Sequence, residues 1–299
     1  MATDQRNLPA YFSSNADFQA WVAGIHAQLS AVGLVNTADT GQINPATVLA
    51  PGAWNTIQGY EIWRFNDALQ STAPVFLKIE YGSQSNFSSS GQFAPGLAFT
   101  VGTGTNGAGT LTGLVGVRRV VGFGTLRTAG LTLPSYCCSD GSGLVLVNGY
   151  DASSLSCVLA WVMDRTRDGA GTATGDGIYT FADYTASSQV YLQVIPVAGT
   201  VPGGYTANNG AGWSLSPTTW FNNSAAPAVV GSNVPVMPTM YMCGKTYFAK
   251  MMHTVQASQV TQGVSISASI LGGTHTLMPL VMNSPPTVVT GDMACMLWE

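Results

Sequence analysis

Two stretches, Tyr60-Glu-Ile-Trp-Arg-Phe65 and Val75-Phe-Leu-Lys-Ile-Glu-Tyr81, decide the fold class. Successive side chains in a strand point to opposite faces, so alternation of this kind reads as a strand with one buried face. Lys78 and Glu80 share the second face of the later stretch. The pattern continues outward: Gly96-Leu-Ala-Phe-Thr-Val101 and Leu144-Val-Leu-Val147 are short strands bounded by Gly and Asn turns. Val158-Leu-Ala-Trp-Val-Met163 leads into Asp164-Arg-Thr-Arg-Asp-Gly169, read as the start of a turn region. Gly177-Ile-Tyr-Thr-Phe181 and Gln189-Val-Tyr-Leu-Gln-Val-Ile195 follow. With 35 Gly and 15 Pro supplying turns, the expectation is a mainly β chain, a β-sandwich or partly closed barrel.

Helical signal is confined to the start. Ser13, Ser14 and Asn15 offer caps, Asp17 sits in the first turn, and Phe18, Trp21, Val22, Ile25 and Leu29 recur at one-face spacing. The spacing predicts an N-terminal amphipathic helix over residues 15–32, stopped at Gly33. Residues 1–55 then read as a helical arm with an extended linker, and 56–197 as a β-sandwich domain. Residues 198–238, rich in Gly, Asn, Ser and Pro, read as a loop excursion carrying Trp213, Trp220 and Phe221. Residues 239–299 read as a β segment completing the domain. The helix face is expected either to dock a partner or to plug one end of the sandwich. Phe18, Trp21, Ile25, Trp213, Trp220 and Phe221 are the candidate partner-contact residues.

Charge restricts function. Only 8% of the 299 residues are charged, ten basic and fourteen acidic, while 46% are hydrophobic, against roughly 25% charged in an average domain. No run of about 20 apolar residues is present to span a bilayer; segments such as Val264-Ser-Ile-Ser-Ala-Ser-Ile270 alternate as strands. The start, Met1-Ala-Thr-Asp-Gln-Arg, is polar and without a secretory signal, so synthesis in a cytoplasm is expected. The net charge of −4, with only Arg118-Arg119, Arg127, Arg165 and Arg167 loosely grouped, is too thin for a nucleic-acid surface.

No motif for chemistry stands up. Cys137, Cys138, Cys157, Cys243 and Cys295 are odd in number and lack paired metal or redox spacing. His26, His253 and His275 have no spaced partner; His26 reads as a surface or capping residue. Gly244-Lys-Thr246 lacks the glycine a phosphate loop needs at Thr239, and Gly102-Thr-Gly104-Thr-Asn-Gly107 lies between strands. Asp164, Asp168 and Asp176 could offer oxygen ligands to Ca²⁺, but turn chemistry explains them. The expectation is no catalytic residues, no metal, no cofactor and no enzyme activity.

Four segments together resemble tailed-bacteriophage virion structural proteins: Tyr60-Glu-Ile-Trp-Arg-Phe-Asn-Asp-Ala-Leu69, Ala73-Pro-Val-Phe-Leu-Lys-Ile-Glu-Tyr-Gly82, Leu97-Ala-Phe-Thr-Val-Gly-Thr-Gly-Thr-Asn-Gly-Ala-Gly109 and Asp164-Arg-Thr-Arg-Asp-Gly-Ala-Gly-Thr-Ala-Thr-Gly-Asp-Gly177. The resemblance spans residues 55–195 and is one of pattern and turn chemistry, with no active-site residues to carry over. It implies a virion component made in the host bacterial cytoplasm, a homo-oligomer of the tail, neck or fibre-attachment region that contacts other virion proteins. A head decoration (cement) protein and a receptor- or carbohydrate-binding fibre module meeting a host surface glycan are the alternatives. A cell-wall or capsule hydrolase would need an acid pair across a cleft.

Overall fold

The computed structural model describes residues 1–83, 94–115, 118–122, 128–149, 159–183, 191–195, 213–215, 236–242, 246–256, 264–270, 273–280 and 292–297. The chain opens with a strand, β1 (Ala2–Pro9), then the helix α1 (Asn15–Ala31). Next come β2 (Val35–Asn36), β3 (Thr56–Arg64), a 3-10 turn (Ala68–Ser71), β4 (Phe76–Ser83), β5 (Pro95–Thr105), β6 (Leu111–Leu114) and β7 (Arg119–Gly122). β8 (Thr132–Ser139), β9 (Gly143–Asn148), β10 (Leu159–Arg167), β11 (Ala173–Asp183), β12 (Tyr191–Ile195) and β13 (Trp213–Leu215) follow. The last group is β14 (Val236–Met242), β15 (Thr246–Gln256), β16 (Ile266–Ile270), β17 (Gly273–Leu280) and β18 (Asp292–Leu297).

These strands form two antiparallel sheets, and neither closes into a barrel, so of the two expected architectures the sandwich is the one that forms. The smaller sheet runs β2-β3-β4-β5-β6, with β7 also on β5. The larger is two ribbons joined at a seam. One is β1-β8-β9-β10-β11-β12-β13; the other is β14-β15-β18-β17-β16. They meet where Arg167 of β10 pairs with Phe248 of β15.

Alternation fills the space between the sheets. Trp63, Phe65, Leu77, Ile79, Tyr81, Leu97 and Phe99 come from the smaller sheet, and Leu144, Leu146, Leu159, Trp161 and Met163 from the larger. The Phe99 and Trp161 rings stack across the gap, 4.4 Å between centroids and 6° apart. Lys78 and Glu80 point the other way, as their spacing predicts. Lys78 donates to the Gly109 carbonyl and lies over the Tyr60 ring, while Glu80 pairs with Arg118.

The helix starts and stops where its residues dictate. Ser14 is the N-cap and accepts from the Asp17 amide, while Asp17 accepts from the Ser13 amide and both serine hydroxyls. These donors hold the Asp17 carboxyl below its ordinary range. At the other end Gly33, at φ +88°, lets the chain turn out of the helix, and the Leu34 amide returns to the Leu29 carbonyl.

The first 55 residues are not an arm. β1 pairs with β8 along its whole length, from Ala2↔Ser139 to Pro9↔Thr132, and its polar sequence, free of alternation, hid this from a pattern reading. The helix crosses β1 at Gly24, where a Cβ would lie 2.2 Å from Leu8 Cδ2. Residues 37–48 are a strap laid on β3: the Thr37 and Ile43 amides donate to the Ile62 and Tyr60 carbonyls. A second correction concerns Asp164-Arg-Thr-Arg167. The expected turn is strand: β10 runs through Arg167, and only residues 168–172 make the turn into β11.

Candidate functional site

The seam between the two ribbons is held by charge. The Asp164 carboxylate, fully buried on β10, accepts from the Lys250 amide at 2.7 Å, the Met251 amide at 3.2 Å and Arg167 Nη2 at 2.9 Å. Arg167 also reaches Asp140 at 2.9 Å and the Ser142 hydroxyl at 2.8 Å, both in the β8–β9 turn. Lys250 Nζ meets Asp140 at 2.8 Å. Carboxylate thus takes the place of strand carbonyls where β15 arrives. Glycine makes room for it: a Cβ on Gly143 would lie 2.5 Å from Met251 Cγ and 2.8 Å from Asp164 Oδ1. Burial lifts the Asp164 carboxyl to about 6 against the pull of Arg167. Asp140 is buried too, but Arg167 and Lys250 hold it down at about 2. Beside the seam His253 Nε2 donates to the Lys250 carbonyl at 2.7 Å, and burial lowers its pKa to about 4, so the ring stays neutral.

A second tie joins the sheets. Arg165, also fully buried, grips Asp67 through Nε at 2.5 Å and Nη2 at 3.0 Å, in the side-on geometry that matches guanidinium to carboxylate. Its Nη1 donates to the Ala73 carbonyl at 2.8 Å, and its guanidinium lies over the Phe65 ring. The turn between β3 and β4 is therefore pinned from beneath by a residue of the opposite sheet.

A third tie fastens the helix. Glu61, 2% exposed, accepts from the Tyr81 hydroxyl at 2.5 Å, from Trp63 Nε1 at 3.2 Å and from His26 Nδ1 at 2.5 Å. Burial beside Glu61 pushes the Tyr81 phenol well above its ordinary range, so it remains a donor. The same carboxylate raises the pKa of His26, which is partly exposed and packs its ring on Trp63. A raised histidine pKa means that the folded chain holds the proton more tightly than the unfolded one. The stabilisation is complete below the ordinary value of about 6.5 and is lost as pH rises through the raised value. Urea unfolding from pH 5.5 to 9 is expected to show a wild-type advantage over His26→Gln that shrinks with rising pH. A constant gap would contradict the pair.

The candidate partner-contact residues separate. Phe18, Trp21 and Ile25 are fully buried, so they are not a docking surface, which corrects that expectation. Phe18 and Trp21 ring Phe12, Trp21 meets Tyr81 edge-on at 5.9 Å, and Trp21 Nε1 donates to Asn148 at 2.9 Å. The helix plugs one end of the sandwich. Trp213 begins β13, paired to β12. Trp220 and Phe221 lie outside the described residues, as do Cys157 and Cys243. Cys137 and Cys138 are buried thiols, not joined in a disulfide; burial pushes both well above the ordinary thiol range and makes them poor nucleophiles. Among the described residues no three His, Cys, Asp or Glu side chains gather as a metal site, and no helix is long and apolar enough to cross a membrane.

The outer surface is unusual in the opposite sense. Leu114 is 63% exposed, Leu49 61%, Val264 55% and Trp54 52%. Meanwhile Arg6, Arg118, Arg165, Arg167 and Lys250 all sit in ion pairs within the chain. No protein-family model matches the chain, and no curated protein matches it.

Proposed function

We propose that this chain is a non-enzymatic structural subunit of a tailed-phage virion, assembling with copies of itself in the tail, neck or fibre-attachment region. The observation that carries the reading is where the charge goes. A chain with only 8% charged residues commits most of its described cations to internal pairs, while large apolar side chains stand in solvent. A soluble monomer needs the reverse, a charged surface with small apolar patches. Burial between neighbouring subunits resolves the conflict, because interface cores tolerate few charges and favour aromatic and aliphatic side chains.

The edges of the larger sheet support the same reading. β1 and β16 each have one strand partner among the described strands, and such edges offer backbone donors and acceptors to another chain. The resemblance over residues 55–195 adds the virion as the setting, with neighbouring virion proteins as further partners. Electron microscopy of purified particles with a gold-labelled antibody against this chain tests it. Label at the tail or neck is expected. Label confined to the head would move the chain to the decoration class, and particles free of the chain would overturn the virion reading.

A further inference from the structure

A shallow groove of about 510 Å³ opens on the outer side of the smaller sheet, between β3–β4 and the turn that joins them. Arg64, Asp67, Gln70, Ser71, Pro74 and Phe76 line it. Arg64 and Phe76 are direct cross-strand partners, and both line the groove.

The polar groups around this ring are fixed and only partly used. Arg64 makes one long contact, Nη1 to the Phe65 carbonyl at 3.4 Å, and has no acidic partner among the described residues. In a chain that pairs most of its described cations internally, that is an exception. Both Asp67 oxygens are held by the buried Arg165 guanidinium, which offsets the negative charge in the groove. Gln70 Oε1 accepts from the Val75 amide at 3.0 Å, which orients the side chain and leaves its two N–H groups to donate. Ser71 is exposed; its hydroxyl donates to the Ala68 carbonyl at 3.3 Å and keeps its lone pairs to accept. The wall is built before a ligand arrives, because Arg165 also holds the Ala73 carbonyl; pre-organisation of this kind lowers the cost of binding.

We propose that this groove binds a carboxylate-bearing saccharide. Arg64 takes the carboxylate, Phe76 and Pro74 take the apolar face of the sugar ring, and Gln70, Ser71 and Asp67 meet its hydroxyls. A flat apolar floor rimmed by mixed donors and acceptors suits a hydroxyl-rich ring. Arg64, a cation with no acidic partner among the described residues, selects acidic sugars over neutral ones, since guanidinium and carboxylate match side by side. This inference goes beyond the assembly reading and does not depend on it.

The test is an array of uronate- and sialate-bearing oligosaccharides printed beside neutral ones and acidic peptides, probed with the purified full chain. Retention on acidic saccharides alone is expected. Arg64→Gln and Phe76→Ala should each weaken it by roughly tenfold or more, the loss of one charge-assisted hydrogen bond or one ring contact. Far-ultraviolet circular dichroism and melting temperature show whether each variant is folded, and Gln70→Ala gives a milder second probe. Retention on no acidic saccharide overturns the proposal. So does equal retention of neutral sugars, preference for acidic peptides, or binding untouched in folded Arg64→Gln.

Discussion

Asp164→Ala is expected to lower the unfolding free energy by about 3–5 kcal/mol, the cost of breaking a buried ionic network by removing one partner. The change leaves the Lys250 and Met251 amides without their acceptor and Arg167 with Asp140 as its remaining carboxylate. Against a total stability of about 5–15 kcal/mol, that is a large fraction. Asp164→Asn keeps an acceptor for one amide and should cost less. Urea unfolding of the purified variants measures both. A loss below about 1 kcal/mol for the alanine variant would place the seam among weak surface pairs. Acid works on the same atoms with a defined sign. Asp164, raised to about 6, takes up a proton more readily folded than unfolded, so its contribution to stability grows as pH falls through 6. His253, lowered to about 4, resists the proton when folded and takes stability away over the range from its ordinary value of about 6.5 down to 4. The two oppose one another between pH 6 and 4. Replacing either should therefore expose the slope of the other.

Trp21→Ala carries the second large effect, about 3–5 kcal/mol for emptying a buried aromatic site. Trp21 is fully buried, meets Phe12, Phe18 and Tyr81, and gives its indole N–H to Asn148. Trp21→Phe restores most of the volume and none of the hydrogen bond, so it should fall between. Melting by circular dichroism reports the loss, and light scattering on the same samples reports mass. A variant that melts like wild type but changes its oligomeric mass would show that the helix face is a docking surface.

The strands that were legible in the sequence are those whose one buried face makes residues alternate. β3, β4 and β5 show this, and so does the helix with its capping serines and Gly33 stop. β1 was not legible. Met1-Ala-Thr-Asp-Gln-Arg has no apolar alternation, and what makes it a strand is a partner 133 residues away, Asp4 opposite Cys137. The seam is hidden from the sequence for a related reason. Asp164, Arg165 and Arg167 look like turn residues because charge normally lies in solvent. Here each finds a partner far along the chain, Lys250, Asp67 and Asp140, and distance in sequence leaves no local mark. One signal was available. In a chain so poor in charge, three charges continuing a wholly apolar strand are out of place unless they are paired inside. Glu61 and His26 hid likewise: one sits in a strand, the other beside a helical face, and only the packing of α1 on β3 joins them. The groove beside Arg64 could not be read in advance, since its wall depends on Arg165 reaching across from the opposite sheet.

Self-assembly is the central claim, and the mass of the purified full chain by light scattering, with negative-stain imaging of the same sample, tests it most directly. A discrete, symmetric homo-oligomer that persists on dilution is the predicted result, with the exposed apolar side chains and the open sheet edges covered by neighbouring copies. A monodisperse monomer at every concentration would contradict it.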